Sequence, residues 1–414
     1  MELPARTGAD PPPHLLATPR ATAWDPHPSH RPLHRHGPVQ QVIAPTGHHI
    51  SLVTGHDEAR HALTDPVFVH DIRRLHRREH GFGGRRCPDD VFAVEGRHPL
   101  NSDGAEHRRL RNVLAPLFTR TMAAHQHGMI DDACDAVLTR MARHDTPELV
   151  AHFARPITVH VTAQLMGIPT EDITELTALT LAMVSGRDPE LSAVRHDRIA
   201  LTRLWARIIG RRRRTPQQDI LSQLIRAEEH GALSRQELVS TAWGIFSGGI
   251  TSTTAFLTSG AVELMNSPRH QAMLRAPRQT HPLIGELLRL TSPFPFAAWR
   301  FALEEATMGS TTIPQGAPVL ISLAAANRDP SAYACPDALR PEHRHQHPHL
   351  AFGHGLHYCP GSHLARLVAT VALRSLFRRF PRLQPAVPLS ELSHRGSLID
   401  RCYRSVPVHL EARH

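Results

Sequence analysis

Apolar side chains recur at helical spacing along most of this 414-residue chain. The pattern predicts helices over Asp57 to Thr64, Glu106 to Phe118, Asp131 to Arg143, Pro156 to Met166 and Thr170 to Val184. It continues over Ala200 to Arg214, Asp219 to Glu229, Arg235 to Asn266, Leu283 to Leu290 and Leu364 to Phe380. Strand signals are confined to two places. Val39 to Val53 reads as two short strands around Pro45-Thr46-Gly47, and Trp299 to Leu320 reads as strands with a Pro314-Gln315-Gly316 turn. Val69 to Leu100 mixes Gly, Arg and Asp without a clear period and reads as a long loop. Residues 1–38 are rich in Pro, His and Arg and read as irregular, their cluster His27, His30, His34 and His36 being a solvated tail rather than a metal site. No internal repeat and no membrane-spanning apolar run is visible. The expected fold class is mainly α with small β-sheets.

Charge changes this picture little. The formal net charge is +9, yet all 47 basic residues are arginine and none is lysine, a substitution bias more than a binding signal. The four arginines Arg211 to Arg214 read as a solvated helix face. Nucleic acid is therefore weakly supported, and an acidic protein partner fits the basic balance better. The five cysteines Cys87, Cys134, Cys335, Cys359 and Cys402 show no paired spacing, which predicts a reducing, cytoplasmic setting. Met1 to His14 carries no apolar core, which predicts neither signal peptide nor membrane anchor.

The chemistry concentrates in Phe352-Gly353-His354-Gly355-Leu356-His357-Tyr358-Cys359-Pro360-Gly361-Ser362-His363-Leu364-Ala365-Arg366. One cysteine stands in a glycine-rich turn just before a helix. A free thiol has a pKa of ~8.5, and helix N-terminal N–H groups or a metal lower it. Gly353, Gly355 and Gly361 allow turns and a close backbone approach to a flat partner. The segment resembles the heme-binding loop of the cytochromes P450, Phe-Gly-x-Gly-x-His-x-Cys-x-Gly-x-x-Leu-Ala-Arg, at every fixed position.

The resemblance runs from about Val39 to about Val408. It implies the cytochrome P450 fold as one heme domain over residues 39–414, with heme b as cofactor and Cys359 as the iron ligand. A thiolate on heme iron pushes electron density toward the metal and favours O–O cleavage. By the same resemblance His107 and Arg111, four apart on one helix face, would bind heme propionates with Arg300 and His357, while Phe352 and Gly361 would lie against the ring. Glu286 and Arg289 match the Glu-x-x-Arg motif, i and i+3 on a helix, and would brace the cysteine loop. The third partner of that pair is usually arginine. Here His343 falls on the position, with Arg344 beside it.

The oxygen-activating helix of the family carries an acid–alcohol pair. Here the segment is Gly248-Gly249-Ile250-Thr251-Ser252-Thr253. Counted from Ser267-Pro268, Thr251 holds the acid position and Ser252 the alcohol position, so the acid is missing. A one-residue slip would make Thr253 the alcohol, still without an acid. Two readings stay open. Serine, water and Thr251 relay protons for ordinary hydroxylation, or the enzyme performs C–C or C–N coupling after hydrogen abstraction. Gly249 to Thr258 is similar to the same helix in cytochromes P450 that oxidise or couple cyclodipeptides, which makes diketopiperazines the first substrate class and a polyketide or terpene scaffold the alternative. The pocket implied by the resemblance is roofed by Val91 to Leu100 and lined by Phe246, Gly249, Ile250, Ser252, Phe294, Phe296, Ala297, Leu398 and Ile399.

Electrons would come from a ferredoxin and its NAD(P)H-dependent reductase, and O2 and a small molecule would be the substrates, with no nucleic acid and no membrane. Arg108, Arg109, Arg366, Arg374, Arg378 and Arg379 would form the docking face. A peroxide-driven enzyme would carry an arginine in the long helix, and none lies between Gly244 and Thr258. A non-catalytic accessory protein of this fold would have lost the cysteine or the propionate ligands.

Overall fold

The computed structural model describes residues 34–43, 49–75, 96–184, 191–343, 345–395 and 401–410, with the side chains of 191–195 left aside. Its helices are α1 (His56–Thr64), α2 (Gly104–Leu114), α3 (Arg120–Ala124), α4 (His127–Met141), α5 (Arg155–Met166), α6 (Thr170–Val184), α7 (Leu191–Arg214), α8 (Ile220–Glu229), α9 (Arg235–Met265), α10 (Pro268–Met273), α11 (Pro277–Thr291), α12 (Leu323–Ala326) and α13 (Ser362–Arg379). The strands are β1 (Val39–Ile43), β2 (His49–Val53), β3 (Phe68–Val69), β4 (Arg300–Ala302), β5 (Ala306–Met308), β6 (Thr311–Ile313), β7 (Pro318–Ile321), β8 (Gln384–Pro385) and β9 (Val408–His409). The main sheet runs β1-β2-β7-β4-β3, and β5-β6 and β8-β9 are separate pairs. Within the main sheet β2 and β7 are parallel and the other neighbours antiparallel. The mainly α architecture with small sheets is as expected.

The longest helix organises the rest. Ser234 and Glu237 form a capping box at the start of α9: the Ser234 hydroxyl accepts from the Glu237 N–H at 3.2 Å, and the Glu237 carboxylate accepts from the Ser234 N–H at 2.7 Å. Past its first turns α9 is apolar nearly all round, as a buried helix must be. Its first half packs Leu238, Ala242, Phe246 and Ile250 against Leu110, Trp205 and Leu221. Its second half packs Leu257, Ala261 and Leu264 against Ile157, Leu287 and Leu373. A Cβ at Gly249 would lie 2.8 Å from the Thr162 hydroxyl, so glycine is what lets α5 approach this closely.

Element boundaries differ from expectation where proline chemistry intervenes. The helix expected to reach Phe118 ends at Leu114 and tightens into a 3₁₀ turn, because Pro116 lacks an N–H. α11 starts at Pro277 rather than near Leu283 and tolerates Pro282, its first turn being held by Thr280, whose hydroxyl reaches the carbonyls of Met273 and Ala276 at 3.0 Å each. Short α3, α10 and α12 carry too few apolar repeats to be legible. The expected loop after Val69 holds two 3₁₀ turns, Ile72–Arg74 and Pro99–Asn101, its centre lying outside the described residues. No helix among the described residues is long and apolar enough to cross a membrane.

Candidate functional site

The cysteine loop is built by its own backbone. Gly353 and Gly355 sit at φ 72° and 73°, a region closed to most side chains. The Cys359 N–H donates to the Phe352 carbonyl at 2.9 Å and the Tyr358 N–H to Gly355 at 3.1 Å. A Cβ on Gly355 would meet Thr64 at 2.8 Å, so this turn is pressed against the end of α1. Gly361 needs no special φ, but nothing lies within 4 Å of where its side chain would stand, which leaves an open approach at the start of α13. Burial pushes the Cys359 thiol above its ordinary range, opposed by the Gly361 N–H, Arg111 and Arg366. A bound metal cation would reverse that balance. Phe352 is capped by the Arg366 guanidinium, 4.4 Å from its ring centre.

Behind the loop, Arg289 uses all five of its N–H groups. Nε and NH2 reach the Glu286 carboxylate at 2.8 Å each, and the remaining three reach the carbonyls of Asn327, Pro336 and Ala338 at 2.8, 2.7 and 3.0 Å. Burial alone would raise the Glu286 pKa, but Arg289 more than offsets it and holds the carboxyl below its ordinary value. The third partner is not His343, which is exposed, but His345, whose Nε2 lies 3.0 Å from Glu286. Segment geometry decides this: the Arg340 N–H already binds Glu286 at 3.1 Å, and the chain returns to the carboxylate only at His345. Arg344 lies outside the described residues. The brace is connected to the loop through Asn327, whose side chain accepts from the Leu350 N–H at 2.6 Å, while the Leu350 carbonyl accepts from Gly353 at 2.8 Å.

On the other side of the loop, fold topology gathers ring and guanidinium nitrogens that have no partner. The rings of His107 and His357 lie 4.1 Å apart, and so do those of His357 and His70. Both nitrogens of His107, Nδ1 of His357, Nε2 of His70 and Nε of Arg300 are buried without a hydrogen bond. Arg300 is otherwise engaged with the carbonyls of Phe68 at 2.8 Å and Leu63 at 3.0 Å, so only part of its fork faces this group. Arg111 reaches the Tyr358 carbonyl, which places it beside the cysteine. Burial, with the charges of His107, Arg300 and Arg111, pushes the His357 pKa down to about 2, and burial lowers His70 and His107 as well. The imidazoles are therefore neutral, with one N–H each; that of His70 is Nδ1, donated to the Trp299 carbonyl at 2.9 Å, so its bare Nε2 is an acceptor, while Arg300, lowered to about 10 by burial, keeps its charge. Orphaned buried donors cost ~1–3 kcal/mol each unless an acceptor arrives. Carboxylates are the acceptors this set fits. His107, Arg111, Arg300 and His357 lie together, and His70, packed on His357, went unseen. In a chain with 33 histidines a lone one carries no signal.

Along α9 one stripe stays partly open while its neighbours are buried: Gly244, Ile245, Gly248, Gly249 and Ser252. Beyond Gly244 and Gly248 an added Cβ would meet nothing within 4 Å. Thr251 and Thr253 are buried, at 2% and 9% exposure. Of the four hydroxyl residues Thr251 to Thr254 at the centre of α9, Ser252 is thus the one on the open face. It donates to the Gly248 carbonyl at 2.7 Å, and Thr251 does the same to Ser247 at 2.7 Å. Such back-bonding leaves the hydroxyl lone pairs free to accept. Between Glu237 and Glu263 the helix has no carboxylate.

Several expected pocket residues are placed elsewhere. Phe246, with 0% exposure, packs edge-to-face on Trp205, and Ile250 at 2% belongs to the same helical core. A side chain that lined an open cleft would be reachable by water. Phe296 packs in the sheet core with Phe301 and Leu320. The side-chain direction of Gly249 points at Thr162, not into a cleft. Phe294 and Ala297 remain partly exposed, and Leu398 and Ile399 lie outside the described residues.

A helical protein that cradles one cysteine in a glycine turn, braces it with a buried Glu–Arg pair and gathers carboxylate-seeking donors beside it has the make-up of a heme-thiolate protein. The family model described as cytochrome P450 matches residues 200–394. Nocardicin C N-oxygenase of Nocardia uniformis subsp. tsuyamanensis is 34% identical over 394 residues, covering 93% of this chain and 96% of its own. The polyketide biosynthesis cytochrome P450 PksS of Bacillus subtilis (strain 168) is 30% identical over 361 residues, covering 87% and 88%. The tirandamycin C-bound P450 monooxygenase TamI superposes with a TM-score of 0.85 at 32% identity, covering 94% of this chain and 98% of that one. The chain belongs to the cytochrome P450 family, whose cofactor is heme b held by a cysteine thiolate. The residues present fit that group: Cys359 would ligate the iron, and the orphaned nitrogens of His107, His357 and Arg300 would take the propionates.

Proposed function

We propose that this chain is a cytochrome P450 monooxygenase that oxidises a small secondary-metabolite scaffold with electrons from a ferredoxin and its NAD(P)H-dependent reductase in the cytoplasm. The observation that carries the reading is the open stripe of α9, glycine at 244 and 248 and a lone accessible hydroxyl at Ser252, in a helix otherwise buried. Bound heme supplies the activation of O2 and the oxidising equivalent. The chain supplies the rest. Cys359 holds and electronically enriches the iron. His107, His357 and Arg300 fix the ring through its carboxylates. Gly244 and Gly248 leave room for a bulky ligand, and the relatives named for polyketide biosynthesis and tirandamycin C support a scaffold of that size. Ser252 accepts a hydrogen bond from water at the open face, its own proton being held by the Gly248 carbonyl. With no carboxylate in reach on α9, water has to complete the proton path.

A Ser252→Ala variant is expected to form product per NAD(P)H consumed about 10²-fold less well, the low end of what a positioned proton carrier contributes. Thr251→Val should stay near wild type. Equal losses in both would place the relay elsewhere. His107→Ser is expected to release heme to an apoprotein scavenger about fivefold faster, the equivalent of one hydrogen bond of ~1 kcal/mol. An unchanged release rate would remove His107 from the propionate group.

Cyclodipeptide coupling is the second reading, favoured by the missing acid and the likeness of Gly249 to Thr258. Titrating the ferric holoenzyme with macrolactones, terpenes and cyclic dipeptides while following the Soret band separates the two. A saturable low-to-high-spin shift with a macrolactone or terpene alone supports scaffold hydroxylation, a shift with cyclic dipeptides alone supports the second reading, and no shift with any member sinks both substrate classes. For the ferredoxin, the arginines of α13 and Arg108 remain candidates. Arg109 does not, because its guanidinium is engaged with Glu237 and the Ala232 carbonyl at the start of α9.

A further inference from the structure

At the start of α1, His56, Asp57 and, from the segment before the cysteine loop, His347 each offer one ligand atom, and among the described residues these atoms lie within 4.8 Å of one another. The imidazole of His56 is prepared in a particular way. It is 1% exposed, and its Nε2 lies 3.2 Å from the Pro348 carbonyl, which can only accept. Nε2 therefore carries the proton and Nδ1 the lone pair. That Nδ1 is buried with no hydrogen bond, next to the Asp57 carboxylate at 3.5 Å and in the group with His347. A ring N–H fixed on a backbone carbonyl, with the opposite nitrogen bare, is the arrangement that holds a metal-ligating histidine in place. The His56 ring is further wedged by Tyr333, edge-on at 5.6 Å, and the backbone N–H of His56 donates to the Asp329 carboxylate at 2.8 Å.

We infer that His56, Asp57 and His347 form a binding site for a borderline divalent cation of the zinc class. Two imidazoles and one carboxylate suit Zn²⁺, Co²⁺ or Ni²⁺ and not the all-oxygen demand of Ca²⁺ or Mg²⁺. His347 is half-buried and Asp57 exposed, so small rotations close the three atoms onto one ion and leave a position for water. The location gives the ion a purpose. α1 starts at His56 and ends at Thr64, where the Leu63 carbonyl holds Arg300 and Thr64 lies against Gly355. The other ligand, His347, stands just before the Pro348-His349-Leu350 segment that leads into the cysteine loop. A cation there clamps the start of α1 to the entry of that loop, and α1 carries the restraint to the loop's far side.

The test uses the untagged, full-length holoenzyme stripped with a chelator and then given Zn²⁺ alone. Crystals grown with one equivalent of ZnCl₂ are expected to show an anomalous peak at the zinc edge between His56 Nδ1, Asp57 and His347. Calorimetry should show the tightest site weakened at least about tenfold in His347→Ala. Zn²⁺ should raise the midpoint of thermal heme loss in the wild type and in neither His347→Ala nor Asp57→Asn, whose metal-free midpoints should match the wild type. Anomalous density only at other histidines, or undiminished affinity in His347→Ala, would overturn the site. Occupancy at these three residues without any shift in the midpoint would overturn the clamp.

Discussion

A Cys359→Ser holoenzyme is expected to lose both the red-shifted Soret band of its reduced carbon-monoxide complex and at least ~10³-fold of its turnover, equivalent to ~4 kcal/mol of barrier. The fold should survive. What shapes the loop is backbone: the Cys359 N–H on the Phe352 carbonyl and the two left-handed glycines, none of which depends on the side chain. Serine is close in size but holds its proton far more firmly than a thiol, so a soft anionic ligand is replaced by a hard, mostly neutral one. The measurement is a reduced carbon-monoxide difference spectrum alongside a thermal melt. A variant that keeps the band would remove Cys359 from the iron. A variant that unfolds would mean the thiol has a packing role that its half-buried position does not suggest.

The second large effect is expected at Arg289. Arg289→Leu removes five hydrogen bonds at once and leaves the Glu286 carboxylate buried among His345 and the Arg340 N–H with its main counter-charge gone. Breaking a buried pair from one side costs roughly 3–5 kcal/mol, a large share of the roughly 5–15 kcal/mol that holds a protein folded. Three carbonyls on the Asn327 to Ala338 segment also lose their donor. Because Asn327 anchors Leu350, the loss should be transmitted to the cysteine loop. Low soluble yield, and heme loss at a markedly lower temperature in whatever folds, are the expected results. The double variant Glu286→Leu/Arg289→Leu should be less damaged than Arg289→Leu alone, since it leaves no orphaned charge. If the single variant melts within a degree or two of wild type, the pair is not the brace of this loop.

The arginine-only basic complement has a consequence for these interactions. Where lysine would offer a point charge, each arginine here offers a fork, and the structure uses it: on Glu286 and three carbonyls for Arg289, on Leu63 and Phe68 for Arg300, over the Phe352 ring for Arg366. Arg289 and Arg300 thereby turn their charge inward. The basic pI is a poor guide to what the surface binds.

How much of this was legible beforehand follows from the range of the physics involved. The glycine turn around Cys359 could be read because its chemistry is local: left-handed backbone at Gly353 and Gly355 needs glycine wherever it occurs. Glu286 and Arg289 could be read because i, i+3 residues on a helix meet regardless of what surrounds them. The long helices could be read because burying them demands apolar periodicity over many turns. The sequence by itself therefore determined the class of protein, the cysteine loop and the Glu286–Arg289 pair. Contacts between distant segments were decided only by the tertiary structure. His70 stands beside His357 because β3 pairs with β4 in the main sheet. Ser252, and not Thr253, faces the open stripe because α9 is rotated by its packing on α5 and α13. Phe246 and Ile250 turned inward for the same reason, and His345 displaced His343 because Pro341 and the Arg340 N–H set the path of that segment. Such choices depend on which of many chemically identical side chains the fold brings together, and no local pattern along the chain encodes that.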